Sequence, residues 1–416
     1  MATGCGTMAD TPDFTVVGGG IGGLVIARRL AMAGRSVNLL EASDHLGGTV
    51  ARQTVGNIDL DAGAESFATR GGTVAALATE LGLGSEIVSP DGEGAWLQPV
   101  TGEAVPLPAV GVLGIPGAPL AADVIRVVGM SAALRAQLDS LIPALWWSKS
   151  LTLGGLVRRR MGRGMLDKLV TPVVHGVYSM HPDKLALDRV AGLRATLMMQ
   201  GSLTAAVRKM RAAAPSGAAV QGIRGGINRL VTELEADLDT YGVDVTLGRR
   251  VDSLDDLPGT VIVAAPGITA PVDGRRVVLV TLVLDEPALD VAPRGTGVLV
   301  APGASSVMAR ALTHSTAKWE WLRERTGGKH VVRLSYDADP SDPAGQAVKD
   351  ASRLLGVKLD PSSVVDFARV EWIRPAASTA PEGIAVVGET VGGSGIAGIV
   401  AHAEAKAAEL LAAPVS

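Results

Sequence analysis

The chain has 416 residues, 47% apolar and 19% charged, with 38 Lys and Arg against 42 Asp and Glu. That length exceeds one ordinary core and predicts two domains, and a net charge of −4 argues against nucleic acid as a partner. The single cysteine, Cys5, excludes an internal disulfide framework and a thiolate metal site, which fits a reducing cytoplasm.

Residues 1–13 are small, polar and Gly/Thr-rich, and are expected to be disordered. They lack the basic start and apolar core of a signal peptide. Phe14-Thr-Val-Val17 then reads as a buried strand, and Gly18-Gly-Gly20-Ile21-Gly22-Gly23 follows without a gap. A helical stretch runs from Leu24 to Ala33 and stops at Gly34, and the next strand, 37–40, ends on Glu41. Strand, glycine turn, helix, strand and acid together make a dinucleotide-binding βαβ unit. Gly18 permits the tight turn, Gly20 lets backbone approach a pyrophosphate, and Gly23 lets the helix pack on the strand. The helix N-terminus offers free N–H groups and a positive dipole end to phosphates, and Glu41 can accept from a ribose diol.

Farther on, residues 73–83 read as a helix, and 96–98 with 105–107 as a hairpin. Residues 119–147 carry apolar positions at helical spacing, including Leu134, Leu138 and Leu145-Trp146-Trp147. They read as amphipathic helices facing a protein core rather than a membrane. No run reaches the roughly 18 apolar residues of a membrane span. Residues 120–215 are expected to be mostly helical, with Arg158-Arg159-Arg160 as a solvated helix face. A helix is expected to begin in 222–230 and run to 238, followed by strands at 243–247 and 260–265. Residues 277–337 alternate strand and turn, with strands at 277–284, 297–300, 306–312 and 331–336, which predicts an antiparallel sheet. A helix at 344–355 and a strand at 364–372 follow. The chain closes with a strand ending at Gly388-Glu389, then Gly392-Gly-Ser-Gly395-Ile396 leading into a helix to Leu411. His175, His181, His314, His330 and His402 show no metal spacing and read as structural, so no metal is expected.

The second glycine pair, Gly47-Gly48, soon after Glu41 resembles the FAD-binding signature of the amine oxidase and protoporphyrinogen oxidase superfamily. So does the block Asp59-Leu60-Asp61-Ala62-Gly63-Ala64-Glu65-Ser66-Phe67. Further blocks narrow the resemblance: Leu156 to Gly162, Val170 to Tyr178, Gly222 to Gly226, and Thr313-His314-Ser315-Thr316-Ala317-Lys318-Trp319. Their order is similar to that of the bacterial oxygen-dependent coproporphyrinogen III oxidases. The chain departs from that pattern in two shortened regions, between Pro266 and Val277 and between Trp372 and Gly383, and in Thr49-Val-Ala-Arg52 after the glycine pair.

The resemblance implies an α/β fold: a Rossmann-like FAD-binding domain with an inserted α+β substrate domain, helical in part and completed by an antiparallel sheet. The first would comprise 14–95, 220–275 and 376–411, and the second 96–219 and 276–375. It implies FAD held by Gly18, Gly20, Ile21, Gly22, Gly23, Glu41, Ala42, Gly47, Gly48, Thr49, Gly63, Ala64, Glu65, Ser66, Val251, Ala265, Gly388, Glu389, Gly395 and Ile396. It implies oxidation of coproporphyrinogen III to coproporphyrin III, with O2 as acceptor and H2O2 as product. The flavin would carry the chemistry, so no catalytic side chain is expected. Four propionates on the substrate call for cationic or polar anchors, with Arg70, Tyr178 and Lys318 as candidates. A cytoplasmic enzyme with a transient ferrochelatase contact is expected. Protoporphyrinogen IX oxidase, another FAD amine oxidase or desaturase, and a shortened non-catalytic flavin- or porphyrin-binding paralogue stand as the alternatives.

Overall fold

The structure is a computed structural model. It describes residues 11–413 apart from 70, 92–93, 109–110, 143–150, 179, 191, 214–219, 270–273, 377 and 394. Arg70, the Leu145-Trp146-Trp147 run and most of the 1–13 segment lie outside the described residues. The chain divides into two compact units: residues 1–89, 218–277 and 370–416 form one, and 90–217 with 278–369 the other.

A five-stranded, wholly parallel sheet centres the first unit. Its order is Asp244–Thr246, Val37–Leu40, Phe14–Val17, Thr260–Val263 and Ala385–Val386. Phe14–Val17 is buried along its whole length, which is why it reads as an unbroken apolar run. Helix Ile21–Met32 packs against helices Arg229–Thr240 and Ile396–Ala412, and Leu24, Ile26, Leu30, Leu234 and Val400 share one core with the sheet. Thr73–Glu80 is a shorter helix than the sequence suggests, because Leu81 and Gly82 close it.

The segment expected to start a helix at 222 first forms a strand. Val220–Ile223 lies between Phe67–Ala68 and Ile87–Val88 in a small antiparallel sheet. Gly225 and Gly226 then take φ of 92° and 105°, a region that bars a helix, so the helix begins only at Arg229.

The second unit holds a helical cluster and most of the seven-stranded sheet. Leu153–Met161, the π-helical turn Leu166–Val170, Thr171–Tyr178 and Leu203–Ala213 surround a core that includes Leu156, Leu166, Val170 and Val207. The reading of Arg158-Arg159-Arg160 as a solvated face needs correction, because Arg160 is 1% exposed. Its Nε donates to Asp139 at 2.5 Å, and its Nη2 donates to the carbonyls of Asp139, Ile142 and Gly201. Three consecutive helical residues span most of a turn, so one of them must point inward.

In the sheet, Gly274–Leu284, His330–Tyr336, Ala311–His314 and Gly297–Val300 pair antiparallel in that order. Trp96–Gln98 then joins Gly297–Val300 in parallel and carries Val105–Pro106 as its hairpin partner. The strand expected at 306–312 starts at Ala311 instead. The buried Asp350 carboxylate accepts from Met308 N–H and Ala309 N–H and holds those residues in turns.

Candidate functional site

The turn after the first strand is shaped by close approach. Gly18 has φ 110°, and a Cβ on it would sit 2.8 Å from Ala265 Cβ and 2.9 Å from backbone of Ala264. A Cβ on Gly23 would lie 1.9 Å from the Gly18 carbonyl oxygen, so only glycine lets the helix start this close to the strand. Gly20 is the opposite case: a Cβ there would meet nothing within 4 Å, and the space before it is open. Leu24 N–H makes the first helical bond, to Gly20 O at 3.0 Å. The N–H groups of Ile21, Gly22 and Gly23 precede it and are the donors such a terminus leaves for an anion.

The second glycine pair folds back onto this turn. Gly47 N–H donates to Gly19 O at 2.9 Å, and Gly20 and Gly47 form a parallel bridge. Gly47 and Gly48 take φ of 104° and 55°. Thr49 O accepts from Ala64 N–H at 3.1 Å and lies 2.1 Å from where a Gly63 Cβ would stand, so the 62–66 segment is drawn against the same turn. The Trp372 ring lies against the same face of Gly63, 3.0 Å from where that Cβ would stand. Glu65 and Ser66, both half-buried, lead into Phe67–Ala68.

Glu41 ends its strand half-buried, and the chain's own donors hold its carboxylate. Oε2 accepts from Gly19 N–H at 2.7 Å, and Oε1 accepts from Ser43 N–H at 2.8 Å and Ser43 Oγ at 2.7 Å. Burial alone would raise its pKa. The bonds from Ser43, Gly19 and Ala42 outweigh that and hold it below the ordinary glutamate value. The carboxylate keeps lone-pair capacity for a ligand hydroxyl. Beside it opens a cleft of about 320 Å³ walled by Gly18, Glu41, Ala42, Val251 and Ala265, with Arg249 and Arg250 at the rim.

The C-terminal segment closes on the first helix. Gly22 packs against Gly388 and Ile399, and Gly388 and Gly395 both take positive φ, 118° and 89°. Ile396 opens the last helix and is buried. One oxygen of the Glu389 carboxylate, Oε1, accepts from Arg374 Nε at 2.7 Å.

Asp61 stands in the motif block, but the sequence gives it no role. Its buried carboxylate accepts from Ile227 N–H, Asn228 N–H and Asn228 Nδ2, fixing residues 61–66 relative to the start of helix Arg229–Thr240. The acid two places before Gly63 is the only sequence signal for it.

Two of the proposed substrate anchors, Tyr178 and Lys318, belong to the second unit. Tyr178 ends its helix in the second unit and packs against the helical core. Lys318 is half-buried, with Nζ 4.9 Å from the centre of the Trp319 ring. In the same unit His314 and His330 are buried and adjacent, their rings tilted by 60°, with His314 Nε2 3.2 Å from His330 Nδ1 and His330 Nε2 3.0 Å from Asp290. Among the described residues no group of three or more His, Cys, Asp or Glu is placed to hold a metal, and no helix is long and apolar enough to cross a membrane.

An α/β unit with this turn, this acid and a returning C-terminal helix defines a dinucleotide-binding flavoprotein fold. The chain belongs to the flavin containing amine oxidoreductase family, which matches residues 21–286. It is a flavin-type oxidoreductase. It is 29% identical to the coproporphyrinogen III oxidase of Mycobacterium tuberculosis strain H37Rv, over 91% of this chain and 89% of that one. Identity to the coproporphyrinogen III oxidase of Bacillus subtilis is 23%, over 95% and 97%. Among solved structures, a protein from Exiguobacterium sp. 255-15, provisionally named a protoporphyrinogen oxidase, superposes with a TM-score of 0.78 at 22% identity, over 95% and 98% of the two chains. A putrescine oxidase shares the fold at a TM-score of 0.64 and 16% identity, over 97% and 99%.

Proposed function

We propose that the protein is an FAD-dependent oxidase that converts coproporphyrinogen III to coproporphyrin III, with O2 as acceptor and H2O2 as product. The observation that carries the cofactor is the open space before Gly20, set between the Ile21–Met32 helix terminus and the free lone pair of Glu41. Phosphates at that terminus and a ribose at Glu41 fit the donors and acceptor present. Gly48 and the 62–66 segment would admit the distal half of the dinucleotide, and Gly388, Gly395 and Ile396 would flank it.

The substrate class rests on the relatives' names, which hold across nine-tenths of the chain in the M. tuberculosis case. In this reading the first unit binds the cofactor and supplies Arg70, and the second supplies the remaining substrate contacts. Aromatising a porphyrinogen removes six electrons in three dehydrogenations, and in each a bridge carbon gives up hydride and a proton is lost. Bound FAD supplies the two-electron acceptor, and each pair passes to one O2 as one H2O2. The chain's own residues then have to orient the macrocycle and exclude water. Arg70, four residues past Ser66, is the proposed propionate anchor, with Tyr178 and Lys318 as secondary ones.

The test is anaerobic mixing of the purified, FAD-loaded protein with coproporphyrinogen III. Bleaching of the flavin absorbance, followed on aeration by coproporphyrin III and three equivalents of peroxide, supports the proposal. Much faster turnover of protoporphyrinogen IX, or bleaching by a primary amine instead, would replace the substrate assignment and leave the cofactor assignment standing. FAD uptake with no bleaching by any of them would mark a non-catalytic binder.

A further inference from the structure

The strand Val364–Pro375 is twelve residues long and ends the seven-stranded sheet, with no strand on its far side among the described residues. Such an edge offers a row of backbone N–H and C=O groups to another strand, and proteins usually block it with proline, lysine or a bulge. The eleven residues before Pro375 contain no proline, glycine or lysine. Val365, Phe367 and Ile373 share one face of the strand and are 46, 44 and 48% exposed.

The strand is also complementary to itself. Laid antiparallel on a second copy about a two-fold axis through Val370, Asp366 faces Arg374, Phe367 faces Ile373, and Arg369 faces Glu371. Every pair occurs twice, and the two members of each lie on the same face, as antiparallel pairing requires. Shifting the axis by one residue sets Arg369 opposite Arg369 or Glu371 opposite Glu371, so the charges select one register. Three of these side chains are already held in place within the chain. Arg369 is bound to Asp339, Glu371 to Arg276 and Arg374 to Glu389. The copy's charges would extend those pairs into networks.

We propose that Val364–Pro375 is a self-docking edge, along which two copies of this chain pair in antiparallel fashion about Val370 and join their sheets. The interface depends on neither the cofactor nor the substrate.

Sedimentation velocity over a concentration series tests it. The wild-type protein should approach twice the monomer mass as concentration rises. Phe367→Lys should remain monomeric. Phe367→Lys combined with Ile373→Glu should recover the dimer, because each lysine then faces a glutamate. Both positions are exposed, so the fold should be kept, which circular dichroism checks. In a Cys5→Ala background, Val370→Cys should cross-link to itself on mild oxidation, and Val365→Cys, which faces Pro375, should not. A wild-type protein that stays monomeric, a dimer indifferent to Phe367→Lys, or a Val370→Cys protein that never cross-links would each overturn the proposal.

Discussion

Replacing Glu41 by Gln keeps the side chain's shape and removes its charge. The carboxylate accepts from Gly19 N–H, Ser43 N–H and Ser43 Oγ, with Ala42 N–H also beside it, and keeps lone-pair capacity for a ligand. A glutamine amide has one oxygen, so its NH2 group must face a donor on one side or the other: Gly19 N–H if the oxygen points to Ser43, Ser43 N–H if it is flipped. In the first arrangement the ribose acceptor is lost, and in the second the 43–47 loop is released. A hydrogen bond to a charged group contributes about 1.5–3 kcal/mol. At 1.4 kcal/mol per tenfold, that predicts FAD affinity weaker by roughly ten- to a hundredfold. Titrating apoprotein with FAD and following the quenching of flavin fluorescence measures it. The same contacts set a pH dependence. The folded pKa of Glu41 lies below the ordinary 4.5, so its contribution to apoprotein stability is present above 4.5 and lost as pH falls through the folded value. An unchanged FAD dissociation constant in Glu41→Gln would refute the placement of the ribose at this carboxylate.

Arg160→Met should lower apoprotein stability by roughly 3–5 kcal/mol, read as a fall in urea midpoint, because it leaves the fully buried Asp139 charge without its partner. His314 sits at a pKa of about 4, lowered by burial first and by the neighbouring His330 second. Its folded value lies below the ordinary 6.5, so the stability it contributes, roughly 3 kcal/mol at most, is complete above 6.5 and lost as pH falls through 4. The urea midpoint should therefore drop between pH 7 and pH 5, and less so in His314→Gln. Arg70→Ala should raise the KM for coproporphyrinogen III about ten- to a hundredfold with unchanged FAD content, since a charge-assisted pair contributes about 1.5–3 kcal/mol. A wild-type KM would place the propionate anchor elsewhere.

The glycine turn proposed to hold the nucleotide was legible because its demands are local. Gly18 and Gly23 are required by contacts within a few residues or with the adjacent strand, and the strand, turn and helix around them are contiguous in sequence. Glu41 was legible for the same reason, as the residue that follows the next strand, Val37–Leu40. The partners that hold these groups were not. Asp61 reaches Ile227 and Asn228 across some 166 residues, and nothing in either segment names the other. Asp350 shifts the start of the Ala311–His314 strand from 42 residues away. The run Arg158-Arg159-Arg160 could be placed on a helix, but which arginine turns inward depends on Asp139 and the carbonyls of Ile142 and Gly201, on other elements. The parallel junction of Trp96–Gln98 with Gly297–Val300 left no trace either, because parallel pairing needs no turn between its strands.

These two kinds of residue divide the labour at the cofactor end. The glycines decide where backbone may approach, and a side chain at Gly18 or Gly23 collides with protein before any ligand arrives. The polar residues decide whether that approach is kept. Asp61 ties the 61–66 segment to the helix Arg229–Thr240, Glu41 ties Gly19 to Ser43, and Arg374 ties Glu389 to the strand Val364–Pro375. The central strand Phe14–Val17 is flanked by Val37–Leu40, which follows it directly, and by Thr260–Val263, which arrives more than 240 residues later. Ala385–Val386 completes the sheet last. A motif of six residues near the N-terminus therefore becomes a binding site only when segments from the middle and the end of the chain have docked on it. Any ligand that spans those segments stabilises the fold by RT ln(1 + [L]/Kd), about 2.7 kcal/mol at a hundredfold excess over Kd. Binding of such a ligand and completion of the first unit are thus linked equilibria.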